Sequence, residues 1–398
     1  MDRPLRDLPA DDPHLPQALA AALDGSGPAV RVVAGGRRPH GEPTTGEQVV
    51  AQGVEQRVEQ RVEQGVAVVL RTSGSTGAPR DVLLSAAALR ASGAATLRRI
   101  GGAGGWLLAL PPDHVAGLQV LARAALSGTT AHVMAAGPFR AARFAAATRA
   151  LPASGRRYTS LVPTQLVRLL DDETGRAALR AYDAVLLGGS GIPPTLLDSA
   201  RAAGARVVTT YGMTETCGGC VYDGVPLDGV QVRLDGEDRV LLAGPVLADG
   251  YLGRPDLDAS AFATDDEGTR WLRTADLGRL GAGGRLEVVG RADDVIVTGG
   301  VNVTPGEVEH LLVTLPGVRE ACVVGVPSDE WGQAVVALLV AGPDGPPPLA
   351  TVRGLVTEHL GAPAAPRRLV VVPALPTRGP GKPDRRAAVA LAVALPTI

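Results

Sequence analysis

From Gly65 onward the chain alternates short apolar runs with stretches in which apolar residues recur every three or four positions. The runs VAVVL (66–70), WLLAL (106–110), AHVM (131–134), YTSLV (158–162), AVLL (184–187) and RVVTT (206–210) have strand length and strand composition. Between them, residues 117–126, 138–150 and 193–203 read as helices. Parallel strands need helical crossovers, so the alternation predicts a layered α/β domain with at least one partly parallel sheet. After about residue 220 the pieces shorten and are separated by Gly and Asp turns, as far as LEVVGR at 286–291. That texture predicts a β-rich portion completing a large N-terminal domain, residues 1–290. Beyond it, DVIVTG leads into a helix carrying Val308, Leu311, Leu312 and Leu315 on one face, followed by CVVGV, AVVALLV, a helix near 350–360 and RLVVV. Residues 291–398 are therefore expected to form a small C-terminal α+β domain.

Composition narrows the function classes. The chain has 398 residues, 45% of them apolar, and a net charge of −2 with no basic block, so nucleic acid is not an expected partner. The N-terminus mixes charge with proline, and no run of about 18 apolar residues occurs, so membrane insertion is not expected either. A cytoplasmic location is the default. Cys217, Cys220 and Cys322 are too few for a disulfide framework. CGGC at 217–220 has redox or zinc spacing, but further ligands are not evident and two small packing residues fit it better. Residues 53–65, GVEQRVEQRVEQG, repeat a four-residue unit whose Glu and Arg are spaced for helical pairing. A solvated helix or a disordered insert is expected there.

The first chemical signal is TSGSTGAPR at 72–80. Gly74 and Gly77 let backbone N–H groups turn inward, and Thr72, Ser73, Ser75 and Thr76 add hydroxyl donors, a combination able to cradle phosphate. The offsets of a Walker loop are not met, and extended runs flank the loop on both sides, so a strand, loop, strand arrangement is expected. Alone, the loop reads equally as a polar hairpin. The second signal is Lys382: of 39 basic residues it is the sole lysine, against 38 arginines by difference. A chain that uses arginine everywhere else has a compact, flexible ammonium here.

These stretches, in order with YGMTET (211–216), RTAD (273–276), GRADDVIVTGG (290–300) and RGPGKPDR (378–385), resemble the adenylate-forming superfamily of acyl-CoA synthetases, luciferases and adenylation domains. The resemblance spans residues 72–385 and departs from the family at Arg80, where lysine is usual. It implies activation of a carboxylic acid by ATP, with pyrophosphate leaving, followed by transfer to coenzyme A. By that resemblance the 72–77 loop and Arg80 would hold the β- and γ-phosphates, Thr214 would contact the α-phosphate, and Glu215 would ligate Mg²⁺. Tyr211 and Gly212 would lie by the adenine, Asp276 and Arg291 by the ribose. Gly188 and Gly189 would bring backbone close to adenine and acyl group, although a plain strand-end turn also fits them. Asp293 would be the hinge, near 291–294, about which the small domain turns. In one orientation Lys382 would bridge the carboxylate and the α-phosphate; in the other, the segment at Gly299 and Gly300 would form the pantetheine channel.

His114, Ser190 and Thr216 are candidates for the acyl pocket by location, and a structural histidine fits His114 as well. The short portion before the phosphate loop, together with YGMTETCGGCVYDGVPLDGV and LPTRGPGKPDRR, resembles the subgroup acting on o-succinylbenzoate in menaquinone biosynthesis. Another aryl or short acyl acid, or loading of a carrier protein, is the alternative. A non-catalytic nucleotide-binding protein would have little use for Glu215, Asp276 and Lys382 together. A homodimer is an expectation at the family level.

Overall fold

The computed structural model describes residues 2–35, 60–73, 79–152, 154–378 and 382–395. Its apolar runs assemble into a seven-stranded sheet whose spatial order is Val225–Pro226, Gly218–Tyr222, Val207–Met213, Ala184–Gly188, Arg157–Leu161, Gly105–Leu108, His132–Val133. From Val207–Met213 to His132–Val133 the neighbours are parallel. The crossovers are the helices Val115–Leu126, Ala141–Ala150, Pro163–Leu170 with Glu173–Leu179, and Pro194–Ala202. The final two strands turn back antiparallel. This is the partly parallel sheet that the alternation predicts.

A six-stranded sheet lies beside it, in the order Gly250–Tyr251, Pro79–Ser85, Val66–Ser73, Ala29–Val33, Asp2–Pro9, Arg61–Glu63. Helices Leu15–Asp24, Ala86–Ile100 and Val115–Leu126 fill the space between the two sheets with Leu19, Leu89 and Leu118, all fully buried against Val68, Leu84 and Trp106. Each such side chain contributes roughly 1.5–3 kcal/mol on leaving water. The expectation of a solvated helix or disordered insert for residues 53–65 fails at its C-terminal end. Residues Arg61–Glu63 pair antiparallel with Asp2–Pro4, and Val62 is buried in a cluster with Ala29, Val66 and Val69. A four-residue repeat fixes no conformation by itself; here an apolar hole on a sheet edge captures its valine. Residues 53–59 of the repeat lie outside the described residues.

A third sheet is built on the long strand Arg270–Leu280, with Leu286–Arg291 paired to it. The chain then passes through a single turn of 3-10 helix, Ala292–Asp294, and enters a separate five-stranded sheet. The central strand of that sheet, Gly332–Ala341, is buried on both faces, which is why AVVALLV reads as an unbroken apolar run. Val335, Ala337 and Leu339 pack with residues of Pro305–Leu312 and Leu349–Leu360; Val336, Leu338 and Val340 pack with the helix Arg385–Ala394. No helix among the described residues is long and apolar enough to cross a membrane.

Candidate active site

Strands Ala184–Gly188 and Val207–Met213 are parallel neighbours, with Gly188 opposite Thr210. Their carboxyl ends therefore deliver Gly188, Gly189 and Ser190 beside the segment Tyr211–Thr216, at the edge where open α/β sheets bind ligands. Gly188 has a packing reason of its own: a Cβ there would lie 2.4 Å from Thr210 Oγ1. Gly189 has φ 92°, a left-handed conformation that favours glycine. A Cβ on Gly212 would fall 2.2 Å from the Gly218 carbonyl oxygen, so the strand crossing behind the segment demands glycine there.

The following 3-10 turn, Thr214–Thr216, is held by its own last residue. The Thr216 hydroxyl accepts from the Met213 N–H at 2.9 Å and donates to the Gly218 carbonyl at 2.7 Å. Thr216 is fully buried, its hydroxyl spent on the turn, and Thr214 is 8% exposed. Between them Glu215 is half-buried. Its Oε1 accepts a 2.9 Å hydrogen bond from Tyr251, while no hydrogen bond reaches Oε2 from the described residues. The free oxygen is a hard donor of the kind Mg²⁺ takes, since that ion uses one or two carboxylates and completes its shell with phosphate and water.

Tyr251 carries no signal in the sequence. It lies in the two-residue strand Gly250–Tyr251, opposite Val82 on Pro79–Ser85. The same strand carries Arg80, whose guanidinium carbon is 5.9 Å from the Tyr251 ring centroid. Burial, then the neighbouring Glu215 carboxylate, push the Tyr251 phenol well above its usual pKa, so it remains a donor. Arg80, Tyr251 and Glu215 thus form a continuous row. The strand, loop, strand arrangement at 72–80 is present, with Thr72 opposite Arg80 and Ser73 opposite Pro79. Thr72 is half-buried, its hydroxyl 3.4 Å from the Arg80 carbonyl. Gly74, Ser75, Thr76 and Gly77 lie outside the described residues, and Ser73 is described by its backbone alone.

A second row starts from Tyr211. Its hydroxyl donates to Asp276 Oδ2 at 2.8 Å, and Arg291, directly opposite Asp276 in the antiparallel register, donates to Oδ1 at 3.2 Å. Asp276 is 8% exposed, and its N–H is fixed by the Thr274 hydroxyl at 3.0 Å. Burial first, then the Asp276 charge, raise the Tyr211 phenol well above its usual pKa. Each carboxylate oxygen has two lone pairs, so one site on each remains for a pair of ligand hydroxyls. Arg291 also donates to Asp293 Oδ2 at 2.8 Å. Asp293 sits in the 3-10 turn between the third and fourth sheets, so one guanidinium links the buried carboxylate to the junction.

The remaining candidates differ in setting. His114 is exposed at the N-terminus of Val115–Leu126, with no hydrogen bond from its ring to the described residues. Ser190 is half-buried. Gly299 and Gly300, φ 57° and 79°, form the two-residue turn of a hairpin between Ile296–Thr298 and Val301–Val303, where positive φ at both positions is required. Lys382 is described by its backbone alone, in the short hairpin that pairs Arg378 with Lys382. Cys217 and Cys220 are free and fully buried. Burial pushes the Cys220 thiol up to about 12, which suits inert packing residues.

Residues 10–251 match the AMP-binding enzyme family, and residues 307–382 match the AMP-binding enzyme C-terminal domain. A protein of Mycobacterium tuberculosis named probable 2-succinylbenzoate-CoA ligase is 46% identical over 382 residues, covering 94% of this chain and 97% of the relative. Among solved structures, o-succinylbenzoate CoA synthetase of Bacillus subtilis in complex with its acyl-adenylate intermediate superposes with a TM-score of 0.70 at 25% identity, covering 94% of this chain and 80% of that one. The amide bond synthetase of Marinactinospora thermotolerans gives a TM-score of 0.74 at 26% identity, covering 98% and 80%.

Proposed function

The chain belongs to the AMP-binding enzyme family, and on that premise we propose that it is an ATP-dependent ligase joining the succinyl carboxylate of 2-succinylbenzoate to coenzyme A through an acyl-adenylate, a step of menaquinone biosynthesis. The observation that carries the reading is the end-to-end match to a relative of that name, 46% identical across 94% of the chain.

The residues divide the work as follows. Asp276 accepts both ribose hydroxyls on its remaining lone pairs, held at the right angle by Tyr211 and Arg291. Tyr211 and Gly212 lie against the adenine, with Gly188 and Gly189 supplying close backbone. The 72–77 loop and Arg80 hold the β- and γ-phosphates. Thr214 donates to the α-phosphate. Glu215 offers its free oxygen to Mg²⁺, which when bound offsets the negative charge gathered as the acid carboxylate attacks the α-phosphate and pyrophosphate departs. Lys382 places a cation between carboxylate and α-phosphate for that step. With the adenylate formed, residues 291–398 turn about Asp293 and bring the Gly299–Gly300 hairpin to the site, where the thiol of coenzyme A displaces AMP. His114 and Ser190 face the acid; the hydroxyl of Thr216 is committed to its turn.

Coupled pyrophosphate release over 2-succinylbenzoate, benzoate and short fatty acids tests the substrate. Turnover confined to 2-succinylbenzoate supports the reading, and turnover of another acid in its place overturns it. A second reading, transfer to an amine or to a carrier-bound thiol, draws on the likeness to the amide bond synthetase. It predicts that free coenzyme A does not consume the adenylate.

A further inference from the structure

Three residues after Lys382, Arg385 opens the final helix, Arg385–Ala394, and its guanidinium is spread over four partners from distant parts of the chain. Nε donates to Asp294 Oδ2 at 2.9 Å. Nη1 donates to Glu309 Oε1 at 2.6 Å and to the Val323 carbonyl at 2.7 Å, with Cys322 Sγ at 3.7 Å. Nη2 donates to Glu309 Oε2 at 3.1 Å, completing a two-pronged pair. Glu309 Oε1 also accepts the Val323 N–H at 2.7 Å, so the pair is fastened to the strand Val318–Ser328. The side chain is only 24% exposed. Asp294 immediately follows Asp293 in the connecting turn, and Asp384 Oδ1 caps the helix by accepting the Ala387 N–H at 3.2 Å.

We propose that Arg385 is a positioning residue for adenylation, one that fixes the exit of the lysine hairpin to the turn beside Asp293 and so sets where Lys382 stands when residues 291–398 close on the site. The geometry favours this over a general stabilising role. A surface ion pair would need one carboxylate, whereas Arg385 occupies both oxygens of Glu309, one of Asp294 and a strand carbonyl, which fixes the direction of the chain leaving Pro383. Every partner lies on the small-domain side of Asp293, so the clamp turns with that unit and is present in both orientations. Its effect on chemistry is then confined to the half-reaction that uses the lysine. The inference rests on the assignment of Lys382 above.

The test separates the two half-reactions in the full-length enzyme. Pyrophosphate exchange reports adenylation, and consumption of supplied acyl-adenylate by coenzyme A reports thioester formation. Arg385→Gln, and Arg385→Lys, which keeps the charge without the fork, should lower exchange by about 10- to 100-fold, the scale of a misplaced catalytic group. Consumption of the supplied adenylate should stay within about twofold, as expected when only one half-reaction loses an interaction. Asp294→Asn, which removes one contact and leaves the Glu309 pair, is the variant that keeps the fold if Arg385→Gln does not, and it should show the same one-sided loss in smaller measure. An equal fall in both half-reactions, or no fall in either, overturns the proposal. Lys382→Ala is run beside them: if it leaves exchange unchanged, the lysine assignment itself fails; if it abolishes exchange while the Arg385 and Asp294 variants do not lower it, the positioning role alone fails.

Discussion

Asp276→Asn removes one charge from a carboxylate held on both oxygens by described residues. Asp276 as a residue is 8% exposed; its carboxylate accepts Tyr211 at 2.8 Å on one oxygen and Arg291 at 3.2 Å on the other, and has one lone pair left on each for a ribose hydroxyl. Asparagine keeps a single acceptor oxygen, so one ribose hydroxyl meets an amide N–H in place of a carboxylate. A hydrogen bond to a charged group contributes about 1.5–3 kcal/mol, which corresponds to about 10- to 150-fold in affinity. The lost ion pair with Arg291 adds little, because that side chain is 41% exposed and water screens the interaction. The expected result is an ATP half-saturation raised by that factor in pyrophosphate exchange at saturating acid. Analogues sharpen the test: 2′-deoxy-ATP and 3′-deoxy-ATP should be penalised in the wild type, and at least one of them should be penalised less in the variant, because its missing hydroxyl has already lost its acceptor. Equal ATP dependence in wild type and variant, or undiminished penalties for both analogues, would refute the ribose assignment.

Lys382→Ala should cut adenylate formation by roughly 10², the scale of losing one transition-state donor, as read by pyrophosphate exchange. Arg80→Lys should keep most activity while Lys382→Arg should not, since a loop-end cation for phosphate tolerates either group and a bridging ammonium does not; the reverse ranking contradicts both assignments. Tyr251→Phe deletes the 2.9 Å bond to Glu215 and keeps the ring beside Arg80, so the Mg²⁺ concentration for half-maximal ATP binding, followed by calorimetry, should rise about tenfold. An unchanged Mg²⁺ dependence would show that the tyrosine does not orient Glu215. Cys220 and Cys322 are each pushed up to about 12, by burial first, and Cys217 is raised as well, so a disulfide reagent at pH 8 should find the native thiols unreactive and all three reactive after unfolding. An unfolded thiol titrates near about 8.5. The folded state therefore binds more protons above that pH, and stability should fall as pH climbs from about 8.5 toward 12, which denaturant titration checks.

Much of the fold, and the candidate site as a set of neighbouring segments, was legible because the residues concerned lie in contiguous stretches. The apolar runs marked the parallel strands, and the turns at their carboxyl ends hold Gly188–Ser190 and Tyr211–Thr216, so motif and topology meet at one edge. What escaped the sequence lacks local signal. Tyr251 belongs to a strand of two residues, too short for any periodicity, and reaches Glu215 only because that strand pairs with Pro79–Ser85. Asp2–Pro9 is polar and contains prolines, yet it pairs with Ala29–Val33 on one side and with the end of the VEQR repeat on the other. The repeat suggested a solvated helix or a disordered insert; at its C-terminal end, burial of Val62 against Ala29, Val66 and Val69 favours a strand instead. The Arg385 clamp joins residues at 294, 309, 323 and 385, and a contact between segments so far apart has no trace in composition.

The most direct measurement supplies the wild-type enzyme with 2-succinylbenzoate and ATP, first without and then with free coenzyme A, and follows the species by mass spectrometry. The proposed function predicts that the acyl-adenylate accumulates alone and is converted to the coenzyme A thioester and AMP when the thiol is added. Failure to form an adenylate from this acid, or an adenylate that free coenzyme A leaves untouched while an amine or a carrier-bound thiol consumes it, would contradict it.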